Sequence, residues 1–447
     1  MENKICFVAN FSKTYLFDKI ASLLKLKGFD IYWIVVNEKL YKYLLERYDK
    51  EKILYISKKN VKIDSEYIGD FKINEIIYGD RVWKYSIEDG IKFLKNIQKP
   101  IYDFINKNSI SLLIGEKTWA HELLISRIVK NKFVNVKFYN IITARLPDDR
   151  LFFVDNEKEE DIIELKSIEN ISIDNITVKS PDYKIFNDKI VKKNFSLIGR
   201  INRLKRFITS ENIENNDPCL ISNLFLRIRL VITEEVNKEM YRYFIKKHNF
   251  AEYSNKKYIF FGFHKQPEAS VDVCGRYYED QLQNVKNLWR LLPNDWYLII
   301  KEHSNAIGDR GYRFYKKIKS LPNVILVNEN TNVHEIIKNS QLVVSNTGTM
   351  ALEAALMNIP SVVLSKTFFT KLDYCNQLTF NELSKIDLEA YVNDVKSKDN
   401  NIEEYSKYVF QNSFEAKIYD PITFPSVLDK NNLNKLAIKI SEILIHV

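Results

Sequence analysis

Cysteine is nearly absent from this chain: four thiols in 447 residues, Cys6, Cys219, Cys274 and Cys375, stand far apart with no CxxC pair. That spacing excludes a disulfide framework and a cysteine-built zinc site, and reduced thiols are the expected state. Glycine is also scarce, at 11 residues, beside abundant Lys, Ile and Asn. This bias reads as the imprint of an AT-rich genome and carries no functional weight. No GxxxxGK[ST] loop is present, which disfavours a P-loop ATPase, and no intact GxGxxG follows a strand, which disfavours NAD chemistry. A GxSxG elbow is missing as well. No Asp-x-Asp pair closes a strand, so no metal site is expected. No apolar run approaches the roughly 18 residues of a spanning helix. The opening MENKICFVANFSK is too short an apolar stretch for a signal peptide, so a cytoplasmic protein is expected.

What the chain does contain is the mix of a soluble globular protein, 45% apolar and 28% charged residues. Its length suits two or three domains. The formal charge of +9 fits general solubility or an anionic partner. One stretch is more pointed. Residues 189–207, KIVKKNFSLIGRINRLKRF, carry seven Lys/Arg and no acid, with apolar residues at helical spacing. Such a basic amphipathic helix suits peripheral contact with the inner face of the cytoplasmic membrane, or packing on its own domain with the basic side in water. Aromatic interleaving is sparse and no nucleic-acid motif occurs, so no nucleic-acid partner is expected.

Hydrophobic periodicity gives strand, helix and strand within the first 37 residues, the opening of a doubly wound α/β domain placed at 1–150. Residues 151–250 read as a charged, helical insertion or bridge. From Lys257 strands and short helices alternate again, defining a second Rossmann-like domain at 251–430. The last helix, within 431–447, is amphipathic and expected to pack back toward the first domain. Two such domains in series are expected to face each other across a cleft, with ligands at the carboxyl ends of the strands.

Three loops of the second domain carry the chemistry. In SNTGTMALEAALMN the strand ends at Ser345, a turn of Asn346, Thr347, Gly348 and Thr349 follows, and a helix begins at once. Gly348 allows close backbone approach, and a helix N-terminus with hydroxyls suits a phosphate. Glu353, one turn on, is placed to accept from ribose hydroxyls. The same residues also fit a plain helix cap with a favourable acidic charge. In KEH, Lys301 and His303 end an apolar strand, where they suit a nucleotide phosphate. In FHKQPEAS, His264, Gln266 and Glu268 lie on a stiff loop after another strand. In a doubly wound sheet these loops emerge on one side, which makes a nucleotide site. In the first half, Glu116 follows a buried strand and precedes a helix, the place for a catalytic carboxylate or a helix-start charge. His121, on that helix, and Thr143, Arg145 and Arg150, past the next strand, suit an acceptor or an acidic sugar. The two arginines could equally pair with Asp148 and Asp149.

The order HKQPEAS, then KEH, then SNTGT with Glu353 resembles the capsular-polysaccharide glycosyltransferases that include the Kdo transferases, over roughly residues 255–370. The resemblance implies a GT-B fold, a nucleotide sugar held by the C-terminal domain, and a glycan or glycolipid acceptor. In relatives using CMP-activated acidic sugars the His loop and the Ser/Thr turn hold the phosphate, roles that fall here on His303 and on Ser345, Asn346 and Thr347. Many relatives have Pro after the His where Ser304 stands, so the donor stays open, with CMP-linked favoured over UDP-linked. The nucleotide sugar is a co-substrate, and no further cofactor is expected. Two alternatives remain: a sugar-nucleotide epimerase of the same architecture, and a non-enzymatic module binding polyanions or membranes.

Overall fold

The computed structural model describes residues 3–59, 67–165 and 216–445, together with Ile176 and Val178. The basic stretch 189–207 lies outside the described residues. The chain divides into two compact units, one of residues 1–172, 212–222 and 409–447, the other of residues 173–211 and 223–408.

The first unit is built on β1 (Lys4–Val8), α1 (Lys13–Leu26), β2 (Asp30–Val35), α2 (Glu38–Leu45), β3 (Ile53–Tyr55), α3 (Ile73–Tyr78), α4 (Ile87–Lys107), β4 (Leu112–Ile114), α5 (Ala120–Lys132), β5 (Lys137–Thr143) and β6 (Arg150–Val154). β1 through β5 pair in parallel in the order β3-β2-β1-β4-β5. The run Ile5, Cys6, Phe7 and Val8 is wholly buried, as expected for a central strand covered on both faces. β6 turns antiparallel beside β5. Leu151 to Val154, just past the expected domain end at residue 150 and inside the expected insertion, are fully buried strand. A further strand, β13 (Phe414–Glu415), returns from the far end of the chain to pair with β6. The C-terminal helix Lys430–Ile445 sets Leu433, Leu436, Ala437, Ile440 and Ile443 into the same core as Leu16, Phe17 and Ile20 of α1.

The second unit includes a helix, Leu224–Phe244, in the region expected to be a bridge. Its sheet comprises β7 (Tyr258–Gly262), β8 (Tyr297–Lys301), β9 (Val324–Val327), β10 (Leu342–Ser345), β11 (Ser361–Val363) and β12 (Cys375–Gln377). All are parallel, in the order β12-β11-β10-β7-β8-β9. Both sheets therefore reverse direction beside their first strand, between β1 and β4 in one and between β7 and β10 in the other. Crevices at such switch points, beyond the carboxyl ends of the strands, are where open α/β sheets receive ligands. No described helix is long and apolar enough to cross a membrane.

Candidate functional site

In the second unit the switch point brings three of the sequence motifs together. β10 ends at Ser345, which is fully buried. Its Oγ accepts from the Gly348 amide at 2.9 Å and meets His264 Nε2 at 3.0 Å. Gly348 has no alternative here: a Cβ would stand 2.6 Å from Ser345 Oγ and 2.7 Å from His264 Cε1. The helix Thr349–Leu356 starts directly after it, and no side chain caps its first turn. That leaves a helix N-terminus beside a buried histidine, an arrangement suited to an anion. Among the described residues no group of three His, Cys, Asp or Glu side chains forms a metal site.

Side chains expected to hold phosphate are turned to the protein instead. Asn346 is buried, its Nδ2 donating to the Tyr278 carbonyl at 2.7 Å and its Oδ1 accepting from Asn284 at 3.1 Å. The Thr347 hydroxyl donates to the Ser270 carbonyl at 2.6 Å. These contacts shape the turn and occupy both side chains with protein partners. Glu353, expected at a ribose, meets His334 Nε2 at 3.0 Å. Gln266 is held between Gln281, which donates to its Oε1, and Asp272, which accepts from its Nε2. Glu268 is exposed and accepts from the Ser270 hydroxyl at 3.2 Å.

His303 caps a short turn at Ser304–Ala306, its Nδ1 accepting from the Asn305 amide at 3.1 Å. That bond places the proton of the neutral ring on Nε2, which makes Nε2 a donor. Lys301, half-buried, ends β8 in register with Gly262 of β7. Between them Glu302 is fully buried and forms the centre of a network the sequence reading passed over as a strand end. Its Oε1 accepts from the His303 amide at 2.8 Å and from Arg310 at 2.7 Å, and its Oε2 from the Tyr315 hydroxyl at 2.6 Å. Arg310 also donates to the His264 carbonyl at 2.5 Å, so one buried pair ties both histidine loops. Gln281 braces the same loop, accepting from the His264 amide at 2.8 Å. Burial, with the Arg310 charge acting in the same direction, pushes the His264 ring down to about 3.

The switch point of the first unit holds Glu116, two residues past β4. Gly115 permits the close approach there, since a Cβ would meet Val8 Cβ at 2.9 Å. Glu116 pairs with Lys13, and its Oε2 accepts from Asn10 Nδ2 at 2.9 Å. The same Asn10 nitrogen donates to Glu122 at 2.8 Å, bridging two carboxyl groups. Glu122, missed in the sequence, is fully buried and accepts from the Thr118 and Trp119 amides at 2.9 and 3.0 Å. Burial and then the Glu116 charge push it up to about 8, against those donors. His121 lines a small hollow with Asn10, Phe11, Leu40, Trp119 and Cys219. Its Nδ1 stands 3.9 Å from Cys219 Sγ, its Nε2 has no hydrogen-bond partner, and burial pushes it down to about 3.

The remaining first-unit candidates are placed elsewhere. Arg150 is buried and donates to Ser413 Oγ at 2.6 Å, the Ser413 carbonyl at 2.8 Å and the Phe410 carbonyl at 3.2 Å. It clamps the returning C-terminal segment and is not an acceptor-site cation. Arg145 pairs with Glu159 at 2.9 Å rather than with Asp148 or Asp149. Thr143 ends β5, four residues beyond Tyr139, the partner of Ile114.

No family model matches the chain, and no curated protein does. Among solved structures, a β-Kdo 2,7 transferase from Thermosulfurimonas dismutans is similar at 13% identity, covering 67% of this chain and 89% of its own, with a TM-score of 0.31. A UDP-GlcNAc 2-epimerase from Methanocaldococcus jannaschii, solved with UDP-GlcNAc and UDP, is similar at 11% identity over 99% of both chains, TM-score 0.31. The calicheamicin glycosyltransferase CalG4 is similar at 10% identity over 100% of this chain and 99% of its own, TM-score 0.28.

Two measurements check this geometry. Arg310→Met leaves Glu302 buried without its cation and is expected to lower stability by about 3–5 kcal/mol. Glu302→Gln in the same chain should recover part of that loss, whereas an unchanged urea midpoint for Arg310→Met would contradict the network. The second is pH dependence. His121 and His264 sit near 3 against an ordinary 6.5. The fold favours their neutral rings and the unfolded chain takes up protons below 6.5. Stability present above that pH is therefore lost as pH falls from 6.5 toward 3. The melting temperature should drop across that interval, and less steeply in His121→Phe; equal slopes would contradict it.

Proposed function

We propose that this chain is a metal-independent glycosyltransferase of the GT-B kind that uses a nucleotide-activated sugar. The second unit binds the nucleotide phosphate. The observation that carries this reading is the meeting of His264, Ser345 and Gly348 at the uncapped start of the helix Thr349–Leu356, beside the loop of His303. Backbone N–H groups at a helix start and a neutral donor imidazole stabilise negative charge without bringing a fixed counter-charge. As the sugar leaves, the phosphate gains charge, and the same groups meet it. Lys301, at the end of the adjacent strand, adds a cation.

In the first unit Glu116 is the carboxylate proposed to take the acceptor hydroxyl's proton, held in place by Asn10 and Lys13. The donor favoured is a CMP-linked acidic sugar such as Kdo, and the acceptor a growing surface polysaccharide or glycolipid. Residues 189–207 are proposed to rest on the inner face of the cytoplasmic membrane, where such acceptors are made.

One observation favours a second reading. Asn10 bridges Glu116 to a buried Glu122 whose carboxyl is pushed up to about 8, a pairing of base and acid that a sugar-nucleotide epimerase needs. The two readings part on whether a nucleotide sugar turns over with no acceptor present.

Thermal unfolding with CMP, UDP, GDP and ADP, without added metal, tests the assignment. A nucleotide at a hundredfold its Kd adds about 2.7 kcal/mol, roughly 5–10 °C for a unit of this size. CMP is expected to give this shift, and His303→Ala to lose most of it. A shift with UDP alone would move the donor, acceptor-free turnover would favour the epimerase, and no shift with any nucleotide would overturn the reading.

A further inference from the structure

The helix Leu224–Phe244 has two unlike faces. Its inner face is anchored: Val231 and Tyr241 are buried, the Tyr241 ring packs on Tyr315, and Asn237 Nδ2 donates to the Gly308 carbonyl at 3.1 Å. Its outer face carries Phe225, Ile232, Val236 and Tyr243, exposed by 84%, 55%, 54% and 77%. Spaced seven, four and seven residues apart, these positions fall within a wedge about 40° wide and ~27 Å long on an α-helix. Arg229 and Glu239 occupy the same face between them. An apolar stripe of this length, interrupted by one basic and one acidic side chain, is unlike a scatter of single exposed residues.

The stripe is symmetric about residue 234. Phe225 mirrors Tyr243, Ile232 mirrors Val236, and Arg229 mirrors Glu239. A two-fold interface needs a patch that complements itself when turned end for end, and this one does. We propose that this face binds a second copy of the chain, the two helices running antiparallel about an axis at residue 234. Aromatic then meets aromatic at both ends, and aliphatic meets aliphatic at the centre. Each Arg229 faces a Glu239 across the axis. A parallel arrangement would set Arg229 against Arg229. A lipid surface gives no reason for the opposed charges, and Glu239 within the stripe works against anionic lipid. Glu239 also meets Arg242 of its own helix at 3.5 Å, an exposed contact of small worth. Four such side chains cover on the order of 500 Å² per copy. That is below the ~800 Å² per partner of a standard interface, so the dimer is weak and depends on concentration.

Sedimentation velocity of the full chain, from low to high micromolar, tests this. The wild type is expected to pass from monomer to dimer across that range. Arg229→Glu and Glu239→Arg should each weaken the dimer about tenfold, and the two together should restore it to within a few-fold. The pair Phe225→Glu and Tyr243→Glu should abolish it, with melting temperature unchanged because these side chains are exposed. A chain monomeric at every concentration, or one whose dimer constant is the same in all variants, would overturn the proposal. So would a monomer that floats with phosphatidylglycerol vesicles and loses flotation on Phe225→Glu, since the face would then belong to lipid. None of these readouts depends on nucleotide binding or turnover.

Discussion

Glu302 and Arg310 form a buried ion pair just beyond β8, and the geometry of both site histidines follows from it. Neither charge is tolerable alone at that depth. Together they are neutralised, and the remaining oxygens are filled by Tyr315 and by the His303 amide. Because Arg310 reaches the His264 carbonyl as well, the loops after β7 and β8 are fixed relative to each other. Gln281 and Asp272 brace the first of these loops from its other side. A network with every member satisfied is stiff, and it holds the His264 and His303 loops in one arrangement.

The two units repeat one solution with different residues. In each, the sheet reverses beside its first strand, a glycine lets the chain approach closely, and a helix begins within a few residues. Around Gly348 the repeat leaves an uncapped helix start beside His264, suited to negative charge. Around Gly115 it leaves Glu116, with Glu122 buried behind it and Asn10 between them. One switch point is suited to an anion and the other carries a carboxyl pair suited to proton transfer. Glu122 adds a carboxyl group held protonated near neutral pH by burial and by its neighbour's charge.

Parts of this were legible because their signals are local. β10, the turn at Ser345 to Gly348 and the helix after it follow one another within a dozen residues, and the punctuation names them. The position of Glu116, after β4 and before α5, is legible for the same reason. Arg310 was not, because its partners are Glu302, His264 and two aromatic rings brought together only by the sheet. Arg150 was read as an acceptor cation because nothing near it shows Ser413, which pairs with it across more than 260 residues. For Asn346 and Thr347 the turn is legible but their hydrogen-bond partners are not. A side chain's partner within a turn is set by the loops that pack on it, here Ser270 and Tyr278, and those are not adjacent in sequence. The strand at 150–154 was lost in a charged neighbourhood whose apolar residues number only four in a row.

Hydrogen–deuterium exchange with and without the binding nucleotide tests the central claim most directly, since it locates the ligand on the chain. Backbone amides at a helix start that hold a phosphate exchange more slowly when it is bound. Protection should concentrate in peptides covering 345–356, with a smaller effect at 262–275 and 302–310. Protection confined to the first unit, or none in the 345–356 segment while the nucleotide is bound, would contradict the account.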